Sequence, residues 1–251
     1  MRIYKTLKRL IGRAIWKYEM LKDGDNIIIA LSGGEDSLVL TYFLAEWRRK
    51  IRINYKLLAV HLDMGFPKDE EEYKNGVEWL QKFCKDLEVD FYFDKTDFGL
   101  QAMEVDKKKT ANPCFVCSWH RRKYLFRLAE KISANKIAFG HHLDDVIITF
   151  FLNMFYNGEL SAILPVQEMF KGKLYLIRPL ILLEKNLISR FAERNNWKVL
   201  KNYCPFSEKT KRKFMENFLK EKIFSLDPRI KKNIARAIFN PRFEYLPQKK
   251  W

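Results

Sequence analysis

Short apolar runs alternate with longer amphipathic stretches along most of this chain. The apolar runs predict five strands, at residues 27–31, 56–62, 89–93, 136–139 and 174–177. The stretches between them predict helices, at residues 36–48, 68–84, 119–134 and 144–156. Strands that are apolar on both faces and separated by helices are typical of a buried parallel sheet. The pattern therefore predicts an α/β fold with a doubly wound parallel sheet.

Basic helical segments flank this predicted core at both ends. Residues 1–24 combine lysine and arginine with regularly spaced leucine and isoleucine, which predicts an amphipathic helix packed on the core rather than a signal peptide. Basic helices are also expected at residues 209–222 and 228–239. We therefore expect an N-terminal helix (1–24), a central α/β domain (25–200) and a basic C-terminal appendage (201–251). No apolar run approaches the length of a membrane span, so a cytoplasmic protein is expected.

The charge of the chain indicates what kind of partner it binds. Its 251 residues include 47 lysines and arginines against 31 acidic residues, a formal net charge of +16. Such an excess favours a polyanionic partner. The cations are clustered, at residues 107–109, 121–123, 209–213 and 231–232. These clusters fit contacts to the phosphate backbone of a folded RNA, whose target base must be unpaired or flipped out.

The loop after the first strand has the most informative motif, Ala30-Leu31-Ser32-Gly33-Gly34-Glu35-Asp36-Ser37. Its glycines allow close approach to the backbone, and the following helix offers unpaired N–H groups and a positive dipole end. The hydroxyls of Ser32 and Ser37 are further donors, and Asp36 is a candidate Mg²⁺ ligand. The loop lacks the spacing and the lysine of the GxxxxGK[ST] motif. These features predict a phosphate-binding loop that is not of the GxxxxGK[ST] type.

Further polar residues follow the ends of later strands. His61 ends the second predicted strand, and Gly140-His141-His142-Leu143-Asp144-Asp145 follow the fourth. Ligands of open parallel sheets bind outside the carboxyl ends of the strands. These segments are therefore expected to converge with the phosphate loop in one site.

Three of the four cysteines are candidate ligands. Cys114 and Cys117 form a CxxC pair beside a basic helix, whose cations and N-terminus are expected to lower the thiol pKa values. Cys204 follows an apparent strand end and could fold back toward them, whereas Cys84 is expected in a helix core. The trio allows a zinc site completed by His120 or a [4Fe–4S] cluster with one open iron. The residues alone leave both options open.

Together these motifs resemble those of the N-type ATP pyrophosphatases, or PP-loop family, and within it the tRNA-thiolating branch that forms 2-thiocytidine. The resemblance extends from about residue 20 to about residue 240, in the order of the family. The matching residues are Ser32-Gly33-Gly34-x-Asp36-Ser37, Pro113-Cys114-x-x-Cys117-Ser118, Arg121-Arg122, Gly140-His141-His142-x-Asp144-Asp145, Leu152-Asn153, Ile177-Arg178-Pro179-Leu180 and Cys204.

The resemblance implies an ATP-dependent sulfur transfer to tRNA. A pyrimidine carbonyl oxygen would attack the α-phosphorus of ATP, and a sulfur nucleophile would then displace AMP. The implied ATP-binding residues are Ala30, Ser32, Gly33, Gly34, Asp36, Ser37, His61, Gly140 and Asp145, with Mg²⁺ as a second cofactor. The implied catalytic residues are Asp36, Arg121 and Asp145. The implied ligands of a [4Fe–4S] cluster are Cys114, Cys117 and Cys204.

Two details of the sequence bear on this resemblance. Arg121 stands where the thiouridine branch has a lysine, which favours cytidine as the target. Glu35 stands where lysine is usual, so it is expected to face solvent or to be offset by Mg²⁺ with Arg121 or Arg122. The expected partners are tRNA and a sulfur donor, either sulfide or a carrier protein, with a homodimer as one option for assembly.

Three other interpretations stay open at this stage. The chain could be a zinc-stabilised ligase of the same fold that modifies tRNA by another reaction. It could be a desulfidase that uses the same open iron in reverse. It could also be a non-catalytic RNA-binding protein, which the acidic Glu35 in the phosphate loop would favour.

Overall fold

A six-stranded sheet forms the core of the structure, a computed structural model that describes residues 2–246. The strands lie in the order β3-β2-β1-β4-β6-β5, and all neighbours pair in parallel except β5 and β6, which are antiparallel. The strands are β1 Asn26–Ala30, β2 Lys56–Asp63, β3 Asp90–Lys95, β4 Lys136–Ala138, β5 Val166–Met169 and β6 Leu174–Ile177. The predicted α/β fold with its parallel sheet is thus confirmed.

Helices connect these strands, as the βαβ pattern requires. They are α1 Arg2–Lys17, α2 Glu35–Arg48, α3 Glu70–Asp86, α4 Phe98–Lys108, α5 Pro113–Lys131, α6 Leu143–Asn157, α7 Lys185–Arg194, α8 Lys211–Phe218 and α9 Ile230–Phe239. A π-helical turn, Leu219–Ile223, continues α8. None of the helices within the described residues is long and apolar enough to cross a membrane.

The described residues divide into two compact units. The first comprises the described residues up to His142 together with Leu164–Ser207, and therefore contains the whole sheet. The second comprises Leu143–Ile163 and the described residues from Glu208 onward, and therefore contains α6, α8 and α9. The second unit has its own apolar core, formed by Ile147, Ile148, Met215, Leu219 and Ala235.

The sheet is buried because its central strands are apolar on both faces. Ile27, Ile28 and Ile29 of β1 are completely buried, and branched side chains of this kind favour extended backbone. The N-terminal helix α1 packs on this unit as expected, with Leu7 and Ile11 buried along one face.

Four elements of the first unit differ from the predictions, one in where it begins and three in not being predicted at all. Helix α5 begins at Pro113 rather than at residue 119, because the Asn112 side chain caps it and proline suits the first helical position. Helices α4 and α7 and the edge strand β5 were not predicted. Strand β5, with the sequence VQEM, has three half-exposed residues and the exposed Glu168, and such a segment has little apolar signal.

Candidate active site

The order of the strands reverses beside β1, and this is where the candidate site lies. Strand β1 is flanked by β2, which follows it in the chain, and by β4, which comes much later. In open α/β sheets the loops that leave such neighbouring strands diverge and open a crevice at their carboxyl ends. The loop 31–34 follows β1, and residues 139–142 follow β4. The topology thus places the loop after β1 and residues 139–142 at the same edge of the sheet, and the convergence of all the predicted segments in one site stays a prediction.

Gly140 brings the end of β4 against the start of α2. A Cβ atom at Gly140 would lie 3.1 Å from the backbone carbon of Asp36 and 3.2 Å from its Cβ. His142 lies in the same region, with Nε2 3.8 Å from Oδ1 of Asp36. A side chain at this position would require Asp36 to shift by a few tenths of an ångström, so glycine suits this close approach of the two loops.

The loop after β1 is held in shape by the hydroxyl of Ser37. This hydroxyl donates to the carbonyl oxygen of Gly34 at 2.8 Å and accepts from the backbone N–H of Gly33 at 3.1 Å. The hydroxyl of Ser32 donates to it at 3.2 Å. Gly34 is the N-cap of α2 and has no side chain to accept from the first-turn N–H groups. Those N–H groups and the helix dipole therefore suit an anion.

Gly33 has a backbone conformation that other residues avoid. Its φ angle is +82°, and a Cβ atom at this position would lie 2.8 Å from Cβ of Leu200. The backbone N–H of Leu200 donates to the carbonyl oxygen of Gly33 at 3.0 Å. The segment that leads to Cys204 therefore packs against this loop and helps to fix its conformation.

Lys185 offsets the negative charge at the start of α2. Its ammonium group lies 2.7 Å from Oδ1 of Asp36 and 3.0 Å from Oε2 of Glu35. The hydroxyl of Ser189, one turn later on α7, donates to the same oxygen of Glu35 at 2.5 Å. From the sequence we expected Glu35 to face solvent or to be offset by Mg²⁺ with Arg121 or Arg122. The structure instead places Lys185 and Ser189 of α7 against its carboxylate. A lysine from another helix supplies the cation.

The pKa shifts of Glu35 and Lys185 favour the charged form of each group. Partial burial alone would raise the pKa of Glu35, but hydrogen bonds from Ser189 and Lys185 outweigh it and lower that pKa. Burial alone would lower the pKa of Lys185, but the charges of Asp36 and Glu35 outweigh it and raise that pKa. Both partners are thus held in their charged forms.

His61 connects β2 to the carbonyl end of β1. Its Nδ1 lies 2.8 Å from the carbonyl oxygen of Leu31, and its Nε2 lies 2.8 Å from the hydroxyl of Tyr73. Burial lowers the pKa of this histidine, so it is neutral at pH 7, with one ring nitrogen donating and the other accepting. His61 and the half-buried Ala30 lie on neighbouring strands, with Ala30 paired to Val60. Their contact with an adenosine stays a prediction.

The CxxC pair lies in the first turns of α5. The side-chain oxygen of Asn112 accepts from the backbone N–H groups of Cys114 and Phe115, at 2.9 and 3.2 Å. Cys114 and Cys117 are three residues apart and therefore share one side of the helix. Both are half-buried, as is Cys204, and none of the three forms a disulfide. Within residues 2–246, no three His, Cys, Asp or Glu side chains lie close enough to hold a metal ion together.

The three thiols are nevertheless electrostatic neighbours. Burial is the main cause that raises the pKa of Cys114, followed by the charges of Cys204 and Asp106. Burial also raises the pKa of Cys117, where Arg121 opposes it and the other two cysteines add to it. The expectation of lowered pKa values is therefore wrong, because desolvation and mutual repulsion outweigh the cation. Binding of a cationic metal group would relieve this repulsion.

Cys204 reaches this region on a segment anchored to the first unit. Leu200 contacts Gly33, as described above, and the hydroxyl of Tyr203 donates to Oε2 of Glu72 at 2.5 Å. The ring of Tyr203 also packs edge-on against Tyr73, the partner of His61. One short segment therefore connects the phosphate loop, the His61–Tyr73 pair and the third cysteine. By contrast, Cys84 is completely buried, and burial raises its pKa to about 12.

Asp145 belongs to the second unit, where it makes an ion pair with Arg212 of α8. The neighbouring Asp144 pairs with Lys231 of α9 at 2.6 Å. Both aspartates lie in the first turn of α6, where a carboxylate is favoured by the helix dipole. The role of Asp145 at the reaction centre stays a prediction, as does that of the exposed Arg121.

Several residues of the site were missed in the sequence. Lys185 and Ser189 lie on α7, whose buried face of Ile188, Phe191 and Ala192 was a usable helical signal. Leu200 and Tyr203 lie in an irregular segment with no such signal. Arg178, by contrast, belongs to one of the motifs that resemble the PP-loop family. Its side chain is buried, and its Nη1 donates to the carbonyl oxygen of Leu164 at 2.6 Å. Burial lowers the pKa of Arg178 to about 10.

Comparison with known proteins identifies the family of this chain. A family model described as the PP-loop domain, ATP_bind_3, matches residues 3–225. A tRNA-cytidine(32) 2-sulfurtransferase of Geobacter sulfurreducens is 33% identical over 245 residues, which cover 97% of this chain and 92% of the relative. A tRNA-cytidine(32) 2-sulfurtransferase of Acinetobacter baumannii is 35% identical over 225 residues, which cover 88% and 71%.

Solved structures extend the comparison. The U34-tRNA thiolase NcsA from Methanococcus maripaludis, with its [4Fe–4S] cluster, superposes with a TM-score of 0.77 at 26% identity, covering 98% of this chain and 81% of that one. The NH₃-dependent NAD synthetase of Campylobacter jejuni shares the fold, with a TM-score of 0.51, 15% identity and full coverage of both chains. The chain therefore belongs to the PP-loop family, in the branch that contains the tRNA 2-sulfurtransferases.

Proposed function

We propose that this protein is an ATP-dependent tRNA sulfurtransferase that replaces the C2 oxygen of a cytidine with sulfur. The observation that carries the proposal is the segment from Leu200 to Cys204. It contacts the phosphate loop at Gly33 and brings Cys204 into electrostatic range of Cys114 and Cys117. Activation by ATP and delivery of sulfur must occur at one carbon atom of the base. This segment connects the phosphate loop, which suits the activation, with the cysteines, which suit the delivery of sulfur.

ATP is proposed to bind at the carboxyl ends of β1 and β4. The uncapped first turn of α2 and the glycine loop would hold its phosphates, and Lys185 would reduce the repulsion from Glu35 and Asp36. Asp36 is then the proposed ligand of Mg²⁺, since carboxylate oxygens suit that ion. Ala30 and His61 would contact the adenosine.

The proposed reaction has two steps, and its atoms balance. The C2 carbonyl oxygen of the base attacks the α-phosphorus of ATP, and pyrophosphate leaves. A sulfur nucleophile then forms a bond to C2, and the bond from C2 to oxygen breaks as AMP leaves with the former base oxygen. Arg121 and Asp145 are the proposed catalytic residues at the activated base. An adenylated oxygen is a far better leaving group than the original carbonyl oxygen.

Cys114, Cys117 and Cys204 fit the donor set of a [4Fe–4S] cluster with one iron free of protein ligands. The charge of Cys204 contributes to the raised pKa values of Cys114 and Cys117, whereas Cys84 is completely buried and is not among the causes of either shift. When bound, such a cluster would supply an open iron that presents the sulfur atom. The chain would obtain that sulfur from sulfide or from a carrier protein.

Analysis of tRNA nucleosides by mass spectrometry tests the proposed function. Cells that lack this protein are expected to lose 2-thiocytidine and to regain it from a plasmid-borne copy. Other thiolated nucleosides serve as the internal control and should persist. An unchanged 2-thiocytidine content would contradict the assignment to cytidine, and unchanged thiolation of every nucleoside would contradict the sulfur transfer.

Lys185→Met is expected to weaken ATP binding at least about tenfold, or about 1.4 kcal/mol. Without Lys185, two carboxylates at the start of α2 lack the cation that offsets them, and they repel the incoming phosphates. Glu35→Lys should leave the affinity equal or higher, because it removes one of those carboxylates. Calorimetric titration with ATP and Mg²⁺ measures both, with Lys82→Met on the exposed surface of α3 as the control. Wild-type affinity in Lys185→Met would contradict this role.

Binding of tRNA is expected to weaken steeply as salt increases. The net charge of +16 and the clustered cations favour contacts to phosphates. If about five phosphates are contacted, the log–log slope of the association constant against salt should be about −3 to −5. Fluorescence anisotropy with a labelled tRNA measures this slope. A slope near zero would leave the basic clusters as solvated surface.

A further inference from the structure

Helix α5 has two large aromatic side chains on its surface beside the CxxC pair. Phe115 is 62% exposed and Trp119 is 44% exposed. They are four residues apart, so they lie next to each other on one face of the helix. Phe115 stands between Cys114 and Cys117 in the sequence. Together they form an exposed apolar patch, a feature that is common at binding surfaces.

The ring of Trp119 is held in place although it is exposed. The ammonium group of Lys123, one turn further along α5, lies over this ring at 4.6 Å. The ring of His120 meets it edge-on, with 4.8 Å between the centroids, and His120 itself stacks on Phe98 of α4 at 5.2 Å. These contacts restrict the indole before any ligand arrives, which lowers the entropic cost of stacking a second ring on it.

The charge around this aromatic pair favours an anionic partner. Arg121, Arg122 and Lys123 follow Trp119 directly, and between residues 113 and 129 the helix contains no acidic residue. An aromatic surface bordered only by cations on its own helix is the combination that binds unpaired nucleotides: rings stack on the bases and cations hold the phosphates. A protein partner would more often be matched by mixed charges.

We propose that Phe115 and Trp119 form a stacking platform for unpaired bases of the RNA substrate next to its target nucleotide. The proposal rests on the proposed function and adds the surface by which a loop, rather than a duplex, is selected. Bases of a duplex are already stacked on their neighbours and cannot reach these rings. The platform would therefore hold the loop open beside the three cysteines.

Equilibrium binding to two RNA probes tests the platform. One probe is a stem-loop with an unpaired pyrimidine-rich loop, and the other is a perfect duplex with the same number of phosphates. We expect Trp119→Ala and Phe115→Ala each to weaken stem-loop binding by about tenfold. Affinity for the duplex and the slope of binding against salt should stay unchanged, because no phosphate contact is removed.

Matched variants separate stacking from other effects. Trp119→Phe should restore most of the stem-loop affinity, whereas Trp119→Leu, which is apolar but cannot stack, should not. Trp16→Ala removes a tryptophan on α1 that is 87% exposed and serves as the control. Unchanged ATP binding and melting temperature would show that each variant is folded.

The other possible outcomes distinguish failure of the platform from failure of the proposed function. If the wild-type protein binds neither probe, the proposed function fails along with the platform. If it binds the stem-loop but both alanine variants bind as tightly, the platform alone is refuted. If Trp119→Ala instead abolishes self-association in sedimentation while stem-loop affinity persists, the face joins two copies of this chain, and the platform is also refuted.

Discussion

Cys114→Ala, Cys117→Ala and Cys204→Ala are each expected to abolish tRNA thiolation while ATP binding persists. In the proposed site each thiolate holds one iron of a [4Fe–4S] cluster, and two ligands do not retain such a cluster. The proposed ATP site, at the carboxyl ends of β1 and β4, uses none of the three thiols. Each variant should therefore lose thiolation activity completely while its affinity for ATP stays at the wild-type value.

Protein purified without oxygen provides the measurement. The wild-type chain should be brown and contain iron and sulfide, and each of the three variants should be colourless. Cys84→Ala is the matched control, because Cys84 is completely buried in α3 and is not one of the proposed cluster ligands. It should keep the colour, thiolation and ATP binding.

A different metal content would change the interpretation. If the anaerobic protein contains stoichiometric zinc and no iron, and His120→Ala releases that zinc, the zinc-stabilised ligase replaces the sulfurtransferase. The stacking of His120 on Phe98 and Trp119 would then have to rearrange for a ring nitrogen to reach the metal.

Gly33→Val is expected to abolish ATP binding. Valine is strained at a φ of +82°, where a left-handed conformation costs roughly 1–2 kcal/mol even before its branched side chain is considered. Its Cβ would also collide with Leu200, at 2.8 Å. The loop must therefore move, and its N–H groups would no longer point at the phosphates.

Gly34→Ala tests the same loop without that strain. Gly34 has a φ of −79°, and an added Cβ would meet only the hydroxyl of Ser32, at 3.6 Å. The variant should fold with an unchanged melting temperature, yet its methyl group would stand where phosphates approach the first turn of α2. Calorimetry should show a clear loss of ATP affinity. Wild-type affinity in Gly33→Val would refute the loop as the phosphate site.

The sheet could be predicted because its strands are continuously apolar. Residues such as Ile27, Ile28 and Ile29 leave no alternative to burial on both faces, and the phosphate loop follows directly from their end. The expected meeting of Gly140 with this loop follows from the same rule, since parallel strands end at one edge. Local patterns therefore predict that the phosphate loop and Gly140 lie at one edge of the sheet, where the candidate site is.

The partners of individual charges could not be predicted in this way. Glu35 and Lys185 are 150 positions apart in the printed sequence, and only the packing of α7 on α2 brings them together. The prediction that the thiol pKa values are lowered was wrong for a related reason. The cations near Cys117 were visible in the sequence, but the burial that outweighs them depends on tertiary structure.

The fate of the oxygen atom that sulfur replaces tests the central proposal most directly. A tRNA transcript with heavy oxygen at C2 of the target cytidine is incubated without air, with the protein, ATP, Mg²⁺ and sulfide. We expect 2-thiocytidine to form and an equal amount of AMP to contain the heavy oxygen in its phosphate. Formation of 2-thiocytidine with unlabelled AMP, or without consumption of ATP, would contradict adenylation of the base.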